Sequence, residues 1–312
     1  MIATGNTVAY VGRFAPSPTG PLHFGSLLAA VASCLQARAA GGKWLLRVED
    51  IDPPREQADA TTLILRALEH YGFEWDGPVS YQSESRAEHD AAIQRLLDAR
   101  LAYPCGCSRR ELAGALRGPL GIIYPGLCRA GTNAADTAIR VQTNDAALFF
   151  DDGLQGRRSQ RLESESGDFI IRRRDGLIAY QLAVVVDDYL QGITEIVRGI
   201  DLIDSTARQI WLQRLLGYPE PHYLHIPVAV NARGQKLSKS HGAGAVSLNR
   251  AAETLVAALA VLGQQPPEDL SASRIEDIWV WAGANWNIDI LRGKTLIPVE
   301  HIAVARAAIR LS

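Results

Sequence analysis

Along the first third of the chain the apolar positions switch between two periods. Val8 to Val11 form a short apolar run that predicts a buried strand, and the Ala- and Leu-rich stretch from Gly25 to Ala39 predicts a helix. KWLLRVE (43–49) predicts a second strand, its apolar run ending on Glu49, Asp50 and Asp52. DATTLILRALEHYGF (59–73) has the spacing of an amphipathic helix closed by Gly72; VSYQS (79–83) and HDAAIQRLLDARL (89–101) predict a third strand and a third helix. This alternation is the pattern of a parallel sheet covered by helices, whose ligands lie beyond the carboxyl ends of the strands. Between Tyr103 and Asp175 the pattern breaks into glycine-rich pieces, the strand-like IRVQ (139–142) and LFFDD (148–152), and the polar QGRRSQRLESESGD. That stretch reads as an insertion. Alternation resumes with LIAYQLAVVVDDYL (177–190) as helix, TEIVR (194–198) as strand, DLIDSTARQIWLQRLL (201–216) as helix and HIPVAV (225–230) as strand. After Lys239 the pattern is helical, most clearly in AAETLVAALAVL (251–262) and RIEDIWVWA (274–282).

Composition narrows this picture only slightly. At 312 residues, 47% apolar and 21% charged, the chain is a globular protein with room for about two domains. A net charge of −2 carries no basic signature of nucleic-acid binding, although a local basic groove is compatible with a neutral total. The first residues lack a basic segment followed by an apolar one, and no apolar run reaches the roughly 18 residues of a spanning helix. A cytosolic protein with no membrane partner is expected. Cys34 falls inside an apolar helical pattern and reads as a packed core thiol. Cys105, Cys107 and Cys128 are clustered, and in a reducing compartment they read as metal ligands.

Two stretches carry candidate chemistry. GRFAPSPTGPLHFGSLL (12–28) crowds prolines, glycines, Arg13 and His23 into the first strand-to-helix connection. A helix start presents unpaired N–H groups to an anion, and Gly20 and Gly25 would let a nucleotide approach the backbone. Neither a Walker-type loop nor a G-x-G-x-x-G is present. The second stretch, NARGQKLSKSHG (231–242), sets Lys236 and Lys239 in a loop suited to holding a polyphosphate. Taken singly, the first is equally a stiffened turn with a structural histidine, and the second a solvated basic loop.

Together, P-S-P-T-G-x-L-H-F-G-S and K-L-S-K-S resemble the paired signatures of class I aminoacyl-tRNA synthetases. RFAPSPTG, LRVEDID, IAYQLAVVVDDYLQGITEIVRGIDL and STARQ are similar to the glutamyl-tRNA synthetase catalytic domain, over residues 10–241. After the lysine loop only residues 241–312 remain, enough for a small helical module. With C-x-C and Y-x-x-x-C in the insertion, the chain resembles short members of that family that attach glutamate to the modified base queuosine in tRNA(Asp). The fold this implies is α/β: a Rossmann-type parallel-sheet nucleotide-binding domain, a zinc-containing insertion and a short helical C-terminal module. Expected boundaries are 1–103 and 176–241 for the two halves of the catalytic domain, 104–175 for the insertion and 242–312 for the helical module.

The resemblance implies that glutamate is activated by ATP to glutamyl-adenylate, with Mg2+ accompanying ATP, and then transferred to RNA. His23 and Lys239 map onto the phosphate-holding catalytic positions, with the Gly25 backbone and Lys236 assisting at ATP. For glutamate, Arg13 is the fork-shaped donor to a carboxylate and Glu49 the partner for the α-ammonium, with Ala15, Ser17, Tyr180 and Arg198 lining the pocket. Cys105, Cys107, Tyr124 and Cys128 would form a closed, structural zinc site; Tyr124 enters that set only through the resemblance. His222, His225 and His301 have no metal-like spacing and read as structural or surface groups, and Trp279, Trp281 and Trp286 as core of the helical end. Expected partners are ATP, L-glutamate and the queuosine-containing anticodon stem-loop of tRNA(Asp), bound by a monomer. Three rivals remain: a minimal glutamyl-tRNA synthetase charging a 3′ end, a small-molecule adenylyltransferase, and a non-catalytic RNA-binding relative.

Overall fold

The structure is a computed structural model that describes residues 9–118, 120–231, 233–236, 244–299 and 302. The first half runs β1 (Val11–Phe14), α1 (Phe24–Ala39), β2 (Lys43–Val48), α2 (Ala60–His70), β3 (Ser80–Tyr81) and α3 (Arg86–Asp98). There follow β4 (Ala102–Cys105), β5 (Arg117–Gly118), β6 (Gly121–Ile122), β7 (Ala138–Val141), β8 (Leu148–Asp152), β9 (Gly156–Gln160), α4 (Leu162–Glu165) and β10 (Phe169–Arg172). Then come α5 (Tyr180–Leu190), β11 (Glu195–Gly199), α6 (Ile203–Leu216), β12 (His222–Ile226) and β13 (Val228–Val230). Last are α7 (Ala251–Val261), α8 (Ile275–Asn285) and β14 (Leu296–Pro298).

The expected α/β architecture is present. β1, β2 and β3 pair in parallel, with Arg13 opposite Leu45 and Arg47 opposite Ser80. On the other side of β1, Thr194 donates its N–H to Val11 O and accepts the Val11 N–H on Oγ1, both at 2.9 Å. This lays β11 beside β1; β12 then pairs in parallel with β11 and with β8. The chain therefore leaves β1 toward β2 and returns on its far side with β11. Such a reversal opens a crevice at the carboxyl ends of the two strands.

Sequence explains the helices that frame the crevice. In α1 the consecutive residues Ala30 to Cys34 are all buried, because sheet strands cover one side and α7 and α8 the other. Small side chains allow that close approach, and Cys34 is a core thiol whose pKa burial pushes up to about 12. The helix ends at a glycine pair: Gly41 takes φ 62°, and a Cβ on Gly42 would lie 2.5 Å from Tyr10 O. Lys43 can then donate to Tyr10 O at 3.0 Å and start β2 in register. α2 buries Ala60, Ile64, Ala67 and Leu68, the one-face spacing of an amphipathic helix. The C-terminal helices share the core of α1 and β2, and all three expected tryptophans pack against it. Trp279 Nε1 donates to Tyr71 O (2.8 Å) and Trp286 Nε1 to Gln36 Oε1 (2.9 Å).

Three elements differ from the pattern-based expectation. β1 starts at Val11, the last residue of the expected run Val8 to Val11, and continues through Gly12 and Arg13 to Phe14; Ala9 and Tyr10 precede it and Val8 lies outside the described residues. The parallel ladder reads backbone groups, and the buried Arg13 has a buried carboxylate beside it. HIPVAV is split at Pro227, which has no N–H for a ladder: β12 stays in the main sheet, whereas β13 pairs with β14. The expected boundary at 103/104 falls inside β4, which forms an antiparallel sheet with β7 and β10, and β8 pairs with β12 through Asp152 and Tyr223 and so joins the main sheet. Among the described residues no helix is long and apolar enough to cross a membrane.

Candidate active site

The proline-rich turn after β1 is built from carbonyls. Proline donates no N–H, yet Pro16 O accepts from Glu49 N (2.9 Å) and Pro18 O from Gln57 N (3.0 Å). The turn is thereby fastened to the end of β2, carrying Ala15 and Ser17 beside Glu49. His23 is the N-cap of α1: its Nδ1 accepts the Ser26 N–H at 3.2 Å, so its proton sits on Nε2, 3.0 Å from Ser26 Oγ.

A cleft of about 300 Å³ opens over the ends of β1 and β11. Arg13, Ala15, Ser17, His23, Gly25, Glu49, Tyr180, Arg198 and Lys236 all line it. Lys239, like His241, lies outside the described residues. Both flanks of that segment reach the cleft: Lys236 bridges to Val230 and its Nζ lies 2.5 Å from Asp201 Oδ2, while Ala245 bridges to His23.

Buried ion pairs set the electrostatics of the cleft. Arg13, 4% exposed, offers Nε and Nη2 to Asp188 at 3.1 and 3.5 Å. Arg47 Nη2 also meets Asp188 (2.7 Å) and approaches Glu49 Oε1 (3.5 Å). Burial alone would raise the Asp188 carboxyl, but Arg13 and Arg47 outweigh it and hold it below the ordinary range. At Glu49 burial wins over Arg47 and Arg13, and the pKa rises. A raised carboxylate pKa marks a charge short of compensation, which a substrate ammonium would supply. The cleft thus offers guanidinium N–H groups from Arg13 and Arg198 for a carboxylate, Glu49 for an ammonium, and a helix start for phosphates. A second cleft of about 330 Å³ shares Ser17, Glu49 and Tyr180 with the first and is bordered by Asp52, Arg55, Glu56 and Arg173.

In the insertion the Sγ atoms of Cys105, Cys107 and Cys128 lie within 4.8 Å of one another. Tyr124 OH is 3.4 Å from both Cys105 Sγ and Cys107 Sγ, so the four expected ligands do converge. Arg140 Nε donates to Cys105 Sγ at 3.3 Å, and its guanidinium lies 3.9 Å over the Tyr124 ring. Three thiols and a phenol around one point, with a cation behind them, fit a tetrahedral zinc ion. The cluster is anchored by Asp168, wholly buried, which accepts from Arg129, Tyr103 and Thr143.

Pattern reading missed several residues around the cleft. Asp187 and Asp188 follow three valines in a buried helix, and Arg47 interrupts an apolar strand; charges at such positions were the available signal. Of the histidines expected to be structural or surface groups, His225 is fully buried and hydrogen-bonded to Arg198, whereas His222 is exposed. No spacing in the sequence links Asp152, Arg198 and His225.

The family described as tRNA synthetases class I (E and Q), catalytic domain, matches residues 10–118 and 129–277. The glutamyl-Q tRNA(Asp) synthetase of Dechloromonas aromatica is 54% identical, over 92% of this chain and 97% of that protein. Its counterpart from Pseudomonas aeruginosa is 50% identical, over 95% of this chain and 100% of that protein. Among solved structures, a glutamate tRNA ligase from Elizabethkingia meningosepticum in complex with its amino acid superposes with a TM-score of 0.78 at 21% identity. That match covers 96% of this chain and 68% of the other, and it establishes a shared fold.

Proposed function

The chain belongs to the glutamyl-Q tRNA(Asp) synthetases of the class I tRNA synthetase family, and from that premise we propose that it activates L-glutamate with ATP and transfers it to queuosine in the anticodon of tRNA(Asp). In the first step the glutamate α-carboxylate attacks the α-phosphorus of ATP, and the bond to the bridging oxygen breaks to release pyrophosphate. That carboxylate is ionised near pH 7, so the step needs positioning and charge stabilisation rather than a base. Arg13 and Arg198 take the side-chain carboxylate of glutamate and Glu49 its α-ammonium, with Ala15, Ser17 and Tyr180 closing the pocket. His23, the Gly25 backbone, Lys236 and Lys239 hold the phosphates, and Mg2+ arrives with ATP. In the second step a hydroxyl of the queuosine cyclopentene diol attacks the activated carbonyl and AMP leaves.

The second cleft, sharing Ser17, Glu49 and Tyr180 with the first, supports an approach path for the modified base. Cys105, Cys107, Tyr124 and Cys128 would hold a structural zinc, which when bound ties the loops of the insertion together. Backbone phosphates of the stem-loop would be held by charge, with affinity falling as salt rises. A cytoplasmic setting is supported by the four cysteines, all free.

One observation carries the reading: donors for a carboxylate, an acceptor for an ammonium and a helix start for phosphate share a single cleft. The test supplies labelled glutamate and ATP with tRNA(Asp) or tRNA(Glu), each with and without queuosine. Labelling of queuosine-containing tRNA(Asp) alone, and of its isolated anticodon stem-loop, is expected. Glutamate recovered as an ester of a 3′-terminal adenosine would restore the minimal glutamyl-tRNA synthetase.

A further inference from the structure

Three neighbouring strands set one residue each in a line across the sheet. Arg198 of β11 stands directly opposite His225 of β12 in the parallel register, and β12 pairs with β8 where Asp152 ends that strand. The three residues are far apart in sequence, and all are buried. Arg198 Nε lies 3.0 Å from His225 Nε2, and His225 Nδ1 lies 2.5 Å from Asp152 Oδ2.

The polarity of this line is determined. A guanidinium N–H only donates, so His225 Nε2 must be the acceptor. A neutral imidazole then carries its proton on Nδ1 and donates it to Asp152 Oδ2. Burial, reinforced by the neighbouring Arg198 charge, lowers the His225 pKa despite the pull of Asp152, in keeping with a neutral ring. The other oxygen, Asp152 Oδ1, accepts the backbone N–H groups of Leu154 (3.0 Å), Gln155 (2.8 Å) and His225 (3.3 Å). That carboxylate therefore cannot rotate without losing three partners.

At the other end of the line, Arg198 Nη2 donates to Thr206 Oγ1 at 2.9 Å. With Nε and Nη2 fixed, Nη1 is left buried and without a hydrogen-bond partner, on a residue that lines the cleft. An unmet buried donor is costly, and the cost is recovered when a ligand oxygen reaches it.

We propose that Asp152 and His225 are positioning residues for substrate binding: through a fixed imidazole tautomer they hold Arg198 so that Nη1 meets a carboxylate oxygen of the amino acid. This rests on the reading of the cleft as a glutamate site. Asp152→Asn separates geometry from mere packing. The three backbone donors keep the amide oxygen at the Oδ1 position, so the amide NH2 faces His225 Nδ1. The histidine must then carry its proton on Nε2, against the N–H of Arg198.

The experiment follows ATP–pyrophosphate exchange and the imidazole 15N shifts of the full chain. The unaltered protein should show His225 protonated on Nδ1 and neutral at pH 7.5. In Asp152→Asn the KM for glutamate should rise at least about tenfold, with the KM for ATP and kcat within about twofold, the signature of lost ground-state binding. His225→Gln, whose amide oxygen can replace Nε2 as acceptor, should keep a glutamate KM closer to that of the unaltered chain than His225→Leu does. An Nε2–H or doubly protonated His225 in the unaltered chain overturns the proposal whether or not the variants fold. So does an unchanged glutamate KM in a folded Asp152→Asn. Absence of glutamate-dependent exchange in the unaltered chain both with and without tRNA would instead remove the glutamate reading, while the tautomer would still be visible by NMR.

Discussion

At Arg13 a charge stays inside the protein because another charge stays beside it. Asp188 meets both Arg13 and Arg47, and all three side chains are nearly inaccessible to water. Removing one partner of such a group leaves the others uncompensated in a medium that solvates them poorly. Asp188→Ala is therefore expected to cost about 3–5 kcal/mol of stability, read from urea unfolding against the unaltered chain. A loss below about 1 kcal/mol would mean that water reaches Arg13 and Arg47 once the carboxylate is gone. The lesson for residue-level reading is that Arg13 needs its counter-charge before it can serve a ligand, and that counter-charge comes from a helix far along the chain.

Among the elements, β4, β7 and β10 bury Ala102, Ile139, Val141, Phe169 and Ile171 against α3, α5 and α6, whereas the end of the insertion that holds the cysteine cluster relies on polar anchoring. Its own apolar cluster is small: Tyr103, Leu112, Cys105, Tyr124 and Cys128. Asp168 compensates by accepting from Arg129, which directly follows Cys128, and from Tyr103, two residues before Cys105. Burial would raise the Asp168 carboxyl, but these donors and Thr143 hold it below its ordinary value. Asp168→Ala should lower stability by about 3 kcal/mol and reduce the zinc retained after dialysis, measured by metal analysis of the folded fraction. Chelation of zinc from the unaltered chain should impair transfer to RNA more than ATP–pyrophosphate exchange, because the cleft draws no lining residue from the cysteine cluster.

At the scale of the whole molecule, the cleft is assembled by contacts internal to the chain. β1, β11, α1 and α5 each bring a side chain to it, as does Glu49 just after β2, and buried pairs hold those groups in register. A site so pre-organised should bind and activate its amino acid before any RNA arrives. Glutamate-dependent ATP–pyrophosphate exchange is expected with no tRNA present. Glutamine should react at least about 100-fold less efficiently in kcat/KM, since it leaves buried guanidinium donors without a charged acceptor. Exchange that appears only on adding tRNA would show that RNA completes the site.

Local pattern determined much of this protein. Ala- and Leu-rich composition marked α1, and apolar runs and their spacing marked α2, β2, α5 and α6, since side-chain burial acts on each element separately. The PSPTG turn, His23, Glu49 and the cysteine cluster were legible because their chemistry is carried by short stretches. Tertiary structure alone decided the rest. Pro227 moved β13 to a different partner strand, β8 left the insertion for the main sheet, and Asp188 came to neutralise Arg13. The line from Asp152 through His225 to Arg198 exists only in the register of three strands. Burial is read by each residue where it stands, so it leaves a trace in sequence. A partner across a sheet is fixed by backbone pairing, which is blind to side chains and leaves none.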